Sequence, residues 1–302
     1  MSKDSRNKKK QLEYLFLGIV LGILMAVDVF GIIFLYKKNH PVKQESKQIN
    51  LEDPYYEEAD LNPPASILNK KSEKNISFRI PIIMYHYVEY VKDQGDTIRK
   101  SLNIQPHNFE MQLKTLKANN YETFFVKDVP DILDGNIMIA SRGAILTFDD
   151  GYDDFYYNVF PLLKKYYARA TLYVVNNYIG KKGFVTEKQL KEMADSDLVE
   201  IGSHTLDHYY LKDVARTVAR TEIEESKKRL EKMLGIQIRT FAYPYGAFDE
   251  QALELVKEAS FSAAVSVLPG VNQSEDNLFF LNRVRSGYAS TWNIANGFDV
   301  FK

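Results

Sequence analysis

From residue 79 to the end of the chain, short apolar runs rich in β-branched residues alternate with longer amphipathic stretches of helical period. The pattern predicts strands at 80–85, 144–148, 170–175, 198–203, 238–243, 261–267 and 278–284. Between them it predicts helices that include 106–118, 155–167, 186–194, 213–234 and 250–259. Strands that read as nearly continuous apolar runs are buried on both faces, which calls for a parallel sheet with helices packed outside it. About seven such units in about 220 residues suit an α/β fold closed as a (β/α) barrel, and a doubly wound sheet is the alternative. No internal repeat and no Gly- or Ser-rich linker divides the stretch, so 79–302 reads as one domain.

What precedes it is different in kind. Residues 15–36 form an almost unbroken apolar run, close to the ~20 residues a bilayer-spanning helix needs. Lys3, Arg6, Lys8, Lys9 and Lys10 stand before it, Lys37 and Lys38 after it. The heavier basic flank is N-terminal, so the positive-inside tendency leaves 1–14 in the cytoplasm and the bulk of the chain outside. The run therefore reads as a transmembrane signal anchor, holding the chain to the cell membrane in a single pass. A cleaved signal peptide, which would give a secreted protein, is the other reading; the run exceeds the ~7–15 apolar residues usual there. Asp28 is a costly charge in mid-span. Residues 37–78 are polar, with Pro41, Pro54, Pro63 and Pro64, and read as an extended extracytoplasmic stalk.

Composition narrows the chemistry. Against 39 Lys and Arg stand 40 Asp and Glu, a net charge of -1, so no overall attraction to nucleic acid is expected. The chain has no cysteine, which removes disulfides, thiolate metal sites and cysteine nucleophiles. Any metal must be held by His, Asp or Glu, and there are five histidines.

In parallel α/β folds functional groups gather at the carboxyl ends of strands, and three ends here carry unusual polar loads. The strand at 144–148 runs straight into Asp149, Asp150 and Gly151. A turn at the glycine lets both carboxylates reach one site, and two ionised carboxylates side by side need a cation; an ordinary Asp-Gly turn is the plainer reading. The strand at 198–203 is followed by His204 and His208, which on a helical turn share a face and can converge on one ion. The third strand ends in Tyr243-Pro244-Tyr245-Gly246, a rigid turn able to offer a backbone N–H and an aromatic wall, or simply a tight turn with core tyrosines. Together, one carboxylate and two imidazoles make a site for Zn²⁺ or a similar ion with an open position, and a second carboxylate stays free as a base.

These residues resemble the polysaccharide deacetylase family, also called the NodB-homology domain or carbohydrate esterase family four. Thr147-Phe148-Asp149-Asp150-Gly151 matches its first motif and His204-Thr205-Leu206-Asp207-His208 its second; Tyr243-Pro244-Tyr245-Gly246 resembles the end of its third. The opening Met84-Tyr85-His86 is similar to the branch that holds poly-N-acetylglucosamine deacetylases. The resemblance implies a distorted (β/α)7 barrel that removes N-acetyl groups from a cell-surface or extracellular glycan, with acetate as product. Peptidoglycan as substrate, an O-acetyl esterase and an inactive glycan-binding protein are the alternatives. It implies Asp149 as general base, Asp150, His204 and His208 as ligands of a divalent metal, most simply Zn²⁺ with Co²⁺, Ni²⁺ or Mn²⁺ as substitutes, and the Tyr245 backbone N–H as oxyanion donor.

The chain departs from the family pattern twice. Ala242 stands where an arginine is expected two residues before Pro244, and no histidine fills the late Leu-x-His motif, whose nearest equivalent is Leu281-Asn282-Arg283. Arg283 is the candidate for steadying Asp149; its pKa makes it a poor acid. His86 is the candidate acid if the barrel brings it to the site, or else a hydrogen-bonded core histidine. His107 belongs to a helix start, with a capping role, and His40 to the stalk. Tyr152, Tyr209, Tyr210 and Tyr245 adjoin the motifs and could stack on sugar rings.

Overall fold

A computed structural model gives the architecture of residues 76–299. The apolar run at 15–36, Asp28, His40 and nearly all of 37–78 lie outside the described residues. Among the described residues no helix is long and apolar enough to cross a membrane.

Eight parallel strands form the main sheet: β1 (Ile82–Tyr85), β2 (Tyr121–Phe124), β3 (Arg142–Phe148), β4 (Ala170–Val174), β5 (Val199–Ser203), β6 (Thr240–Ala242), β7 (Ala263–Pro269) and β8 (Leu281–Arg285). Seven of them close a ring. β1 pairs with β3 through Ile82↔Ile145 and with β8 through Val284↔Ile83, so the first and last strands are neighbours. That closure excludes the doubly wound alternative. β2 is a wedge: it pairs with the lower half of β3 (Phe124↔Ile145), on the edge that β4 occupies higher up (Thr147↔Thr171). The sequence pattern missed β2, because Tyr-Glu-Thr-Phe is short and only Phe124 in it is buried.

The two-residue period of the strands sorts their side chains. In β3, Ala144, Leu146 and Phe148 face outward into the main core under the helices, while Ile145 joins the smaller cluster inside the barrel with Ile82, Ala242, Val265 and Leu281. The inward series of β3 continues through Thr147 to Asp149, and that of β8 from Leu281 to Arg283. Burial of about 25 cal/mol per Å² of apolar surface on both faces stabilises such a ring. Its polar interior includes Thr171, Glu200 and Thr240, which bond to one another. Glu200 accepts from the Thr171 hydroxyl (2.7 Å), the Thr240 hydroxyl (2.8 Å) and the Lys127 backbone N–H (3.2 Å).

Helices α1 (Pro106–Ala118), α2 (Phe160–Tyr166), α3 (Glu187–Ala194), α4 (Arg216–Leu234) and α5 (Glu250–Glu258) pack around the ring, and a short α6 (Thr291–Ala295) lies against α1. Their ends follow local rules. Thr186 and Gln189 make a capping box at α3, Asp249 accepts from the Ala252 N–H at α5, and Gly235 closes α4 at φ 70°. Three expectations change. The helix at 155–167 divides into a π-turn (Phe155–Val159) and α2, because Pro161 has no N–H to continue the ladder. The helix at 213–234 starts only at Arg216, since Asp213 sits in the left-handed region at φ 57°. His107 makes no capping bond; Gln105 is the N-cap of α1, also without a side-chain bond. Short strands pair outside the barrel as well, Ser77–Arg79 antiparallel to Asn272–Ser274.

Candidate active site

Asp149 is the last inward residue of the β3 series, 3% exposed. Its backbone N–H donates to the Tyr85 carbonyl at 3.0 Å, which holds it beside the end of β1. Arg283 reaches across from β8 and grips it with both arms of the guanidinium, Nη1 to Oδ1 at 2.8 Å and Nη2 to Oδ2 at 2.7 Å. The arginine is itself fixed: Nε donates to the Ser266 carbonyl at 2.6 Å and Nη1 also to Thr147 Oγ1 at 3.2 Å. Such a fork holds position as well as charge. Burial by itself would raise the Asp149 pKa, but the Arg283 charge and hydrogen bonds, with help from His204 and His86, more than offset it and keep it below the ordinary value. Asp149 is thus an ionised, oriented, buried carboxylate.

Immediately after it the chain reverses. Asp150 has φ 74° and Gly151 φ 77°, and a Cβ on Gly151 would stand 3.0 Å from a Val174 methyl, so the second carboxylate turns away from the first. It turns toward His204 and His208. Asp150 Oδ1 lies 3.4 Å from His204 Nε2 and 3.2 Å from His208 Nε2. The two histidines do not share a helical turn; they converge from an irregular loop in which Thr205 (φ 67°) and His208 (φ 58°) take left-handed conformations. The backbone, rather than helical spacing, aims them.

The donor set fits a metal ion. His204 Nδ1 contacts the Ala242 carbonyl at 2.7 Å, which makes Nδ1 the protonated nitrogen and leaves Nε2 as a lone pair facing the carboxylate. Oδ1 of Asp150 is buried without a hydrogen-bond partner. An acceptor facing an acceptor in a buried site demands a positive charge between them. One ligand atom from each of the three residues lies within 4.8 Å of the others. The His204 pKa gives the same sign: burial lowers it, yet the Asp150 and Asp149 carboxylates and the Ala242 bond raise it further. Tyr245, at φ 60°, closes the opposite wall, its ring 4.4 Å from that of His208. Tyr152 lies beside Asp150, stacked on Tyr87 at 3.9 Å, and Tyr210 stands 6.3 Å from Tyr245. Tyr209 is held to the histidine loop by its backbone N–H, which donates to Thr205 Oγ1 at 3.1 Å.

His86 follows β1, with Nε2 4.0 Å from Asp149 Oδ2 and its side chain 18% exposed. It is at the site, and its side chain makes no hydrogen bond among the described residues. Burial lowers its pKa, partly countered by Asp150 and Asp149. One buried acid near the site was not singled out in the sequence. Asp154 accepts the Val88 N–H through Oδ2, while its Oδ1 has no partner, and burial raises its pKa to about 6.

Comparison with known proteins agrees with this geometry. A family model described as polysaccharide deacetylase matches residues 140–264, the segment carrying the three polar strand ends. The Bacillus subtilis protein YxkH, named for the polysaccharide deacetylases, is 32% identical over 207 residues, 68% of this chain and 71% of that one. The poly-beta-1,6-N-acetyl-D-glucosamine N-deacetylase of Staphylococcus epidermidis is 29% identical over 221 residues, 66% of this chain and 75% of that one. Among solved structures, Streptococcus pyogenes deacetylase PplD in complex with acetate matches at a TM-score of 0.64 and 33% identity, covering 69% of this chain and 92% of that one.

Proposed function

Because the chain belongs to the polysaccharide deacetylase family, a family of hydrolases, we propose that it removes N-acetyl groups from a poly-N-acetylglucosamine-like polysaccharide. The observation that carries this reading is the Arg283–Asp149 fork set beside the Asp150, His204 and His208 cluster, a held base next to a cation site. The similarity to the staphylococcal N-deacetylase supports the choice of polymer.

Asp150, His204 and His208 would hold a divalent ion, zinc before cobalt, nickel or manganese, which would supply Lewis-acid polarisation of the acetamide carbonyl and acidify water. Asp149, kept ionised by Arg283, takes the proton of the attacking water. His86 stands within reach to carry that proton from Asp149 to the departing amine; at 4.0 Å the two are in ion-pair range, not yet hydrogen bonded. The Tyr245 backbone N–H is assigned to the oxyanion that develops on the former carbonyl. Acetate leaves, and the sugar keeps a free amine. The apolar run at 15–36 with its basic flank supports a location of this chemistry outside the cell membrane, in reach of a surface polymer.

The test is acetate release from β-1,6-linked N-acetylglucosamine oligomers, with an O-acetylated glycan and peptidoglycan fragments in parallel. Asp149→Asn, checked for folding by circular dichroism, should abolish release. Equal release by both proteins overturns the role of Asp149. Release from the O-acetylated glycan alone makes the chain an esterase, and binding without any release makes it a glycan-binding protein.

A further inference from the structure

The loop from His204 to His208 holds a backbone that its own residues do not favour. Thr205 stands at φ 67° and His208 at φ 58°. A β-branched residue in the left-handed region persists only where its surroundings over-determine it. Two neighbours do so here. The turn after β4 (Asn176–Tyr178) serves the loop's carbonyls: the Asn176 N–H donates to the Thr205 oxygen at 3.2 Å and the Asn177 N–H to the Leu206 oxygen at 2.9 Å. The second neighbour is α4, which serves the N–H groups.

The buried stripe of α4 runs Ala219, Glu222, Ile223, Ser226, Lys227 and Leu230, a helical period with one carboxylate in it. Glu222 is 7% exposed. Its Oε2 accepts the Leu206 N–H at 3.0 Å and the Asp207 N–H at 3.1 Å. The Thr205 hydroxyl bonds to the same carboxylate, and its oxygen accepts the Tyr209 N–H at 3.1 Å. One turn along, the Ser226 hydroxyl meets that of Ser203, the residue before His204, at 2.7 Å. The helix therefore grips the chain just ahead of each imidazole. Glu222 itself is not a member of the Asp150, His204 and His208 cluster. Burying a carboxylate is costly unless its bonds are used, and here they satisfy backbone donors that no strand or helix serves.

We propose that Glu222 is a positioning residue for the metal site: by accepting the loop's hydrogen bonds it holds His204 and His208 aimed at Asp150 before an ion arrives. The proposal rests on the reading of Asp150, His204 and His208 as ligands of a divalent ion, and not on which glycan is the substrate. Ligands held in place in advance bind an ion more tightly than ligands that must be ordered on binding. Groups that orient ligands without touching the metal typically contribute roughly 10–100-fold in affinity.

The experiment measures the zinc affinity of the full chain by competition with a chromogenic chelator, and the visible absorption of its cobalt(II) form, which reports ligand geometry. Glu222→Ala should weaken zinc binding roughly 10–100-fold and alter the cobalt spectrum. Glu222→Gln keeps an oxygen able to accept both N–H groups and should retain most of the affinity. Glu222→Asp keeps the charge one methylene short and should fall between the two; it carries the test where Glu222→Ala does not fold. Leu230→Ala, a cavity about two turns along the same buried stripe, is the control. It should lower thermal stability and leave zinc affinity and the cobalt spectrum unchanged. Weakened zinc binding in Glu222→Ala upholds the proposal even with no acetate released by wild type, a result that sinks the deacetylase reading alone. Wild-type zinc affinity in Glu222→Ala overturns the proposal, as does Glu222→Gln binding as weakly as Glu222→Ala. A wild type that binds no zinc removes the metal site and the proposal with it.

Discussion

Replacing Arg283 by methionine isolates what the fork does for Asp149. The methionine fills much of the same space, so the change is mainly electrical. It deletes a side chain with no solvent exposure and four hydrogen bonds, two of them to the carboxylate. Removing one partner of a buried ion pair costs about 3–5 kcal/mol, because the other charge stays behind unpaired. The protein can relieve that penalty by protonating Asp149. An arginine beside an aspartate lowers its pKa by ~1–3 units, and each unit is worth about 1.36 kcal/mol, so the two magnitudes describe one effect. In wild type the folded pKa is depressed, so the pair stabilises the protein above the ordinary carboxylate range and is lost as pH falls through the folded value. In Arg283→Met burial is opposed only by His204 and His86, the pKa rises, and the loss of stability is largest at neutral pH and shrinks in acid. Urea titrations across pH measure this directly. The acid limb of the kcat/KM profile should move up by ~1–3 pH units. Arg283→Lys keeps the charge without the fork, so its limb should move less while kcat still falls. A folded Arg283→Met with the wild-type acid limb would refute the idea that Arg283 sets the ionisation of the base.

Three further outcomes are expected. His204→Ala and His208→Ala should each lose bound divalent metal by elemental analysis, and chelation of wild type should abolish acetate release until zinc is restored. Asp154, with a pKa raised to about 6, penalises the folded state above that pH and the penalty fades as pH falls toward the unfolded value. Asp154→Asn should therefore stabilise the protein by about 1–3 kcal/mol at pH 7–8 and by almost nothing near pH 4, in thermal melts at both. Gly246→Ala puts a Cβ 2.2 Å from a Val267 methyl at a position with φ 69°; it should cost about 2–4 kcal/mol and, by shifting Tyr245, reduce kcat.

The barrel strands and the polar ends were legible because buried parallel strands are apolar almost throughout, so Asp149, Asp150, His204 and His208 interrupt a clear pattern. α1 could be read to its boundaries from Pro106 and its period. Arg283 could be matched to Asp149 only through the family resemblance, not from the local pattern of residues. Its bond to Asp149 depends on β8 closing onto β1 beside β3, a fact of topology with no local signal. A hint exists all the same: an arginine on the inward series of an apolar strand must find a buried acid. Asp154 gave no such hint, since its burial depends on a contact with the Val88 backbone. The convergence of the histidines was foreseen for the wrong reason, because positive φ angles cannot be read from Thr205 and His208 as residue types.

The pairing of β1 with β8 also bears on how the chain becomes an enzyme. Asp149 emerges in synthesis well before Arg283. Until the final strand docks, the ring is open and the base carries a charge with no counterpart. Contacts this distant in sequence form slowly, so the catalytic centre is the last part of the domain to be completed. A chain cut short before β8 would be not a weakened deacetylase but one never armed.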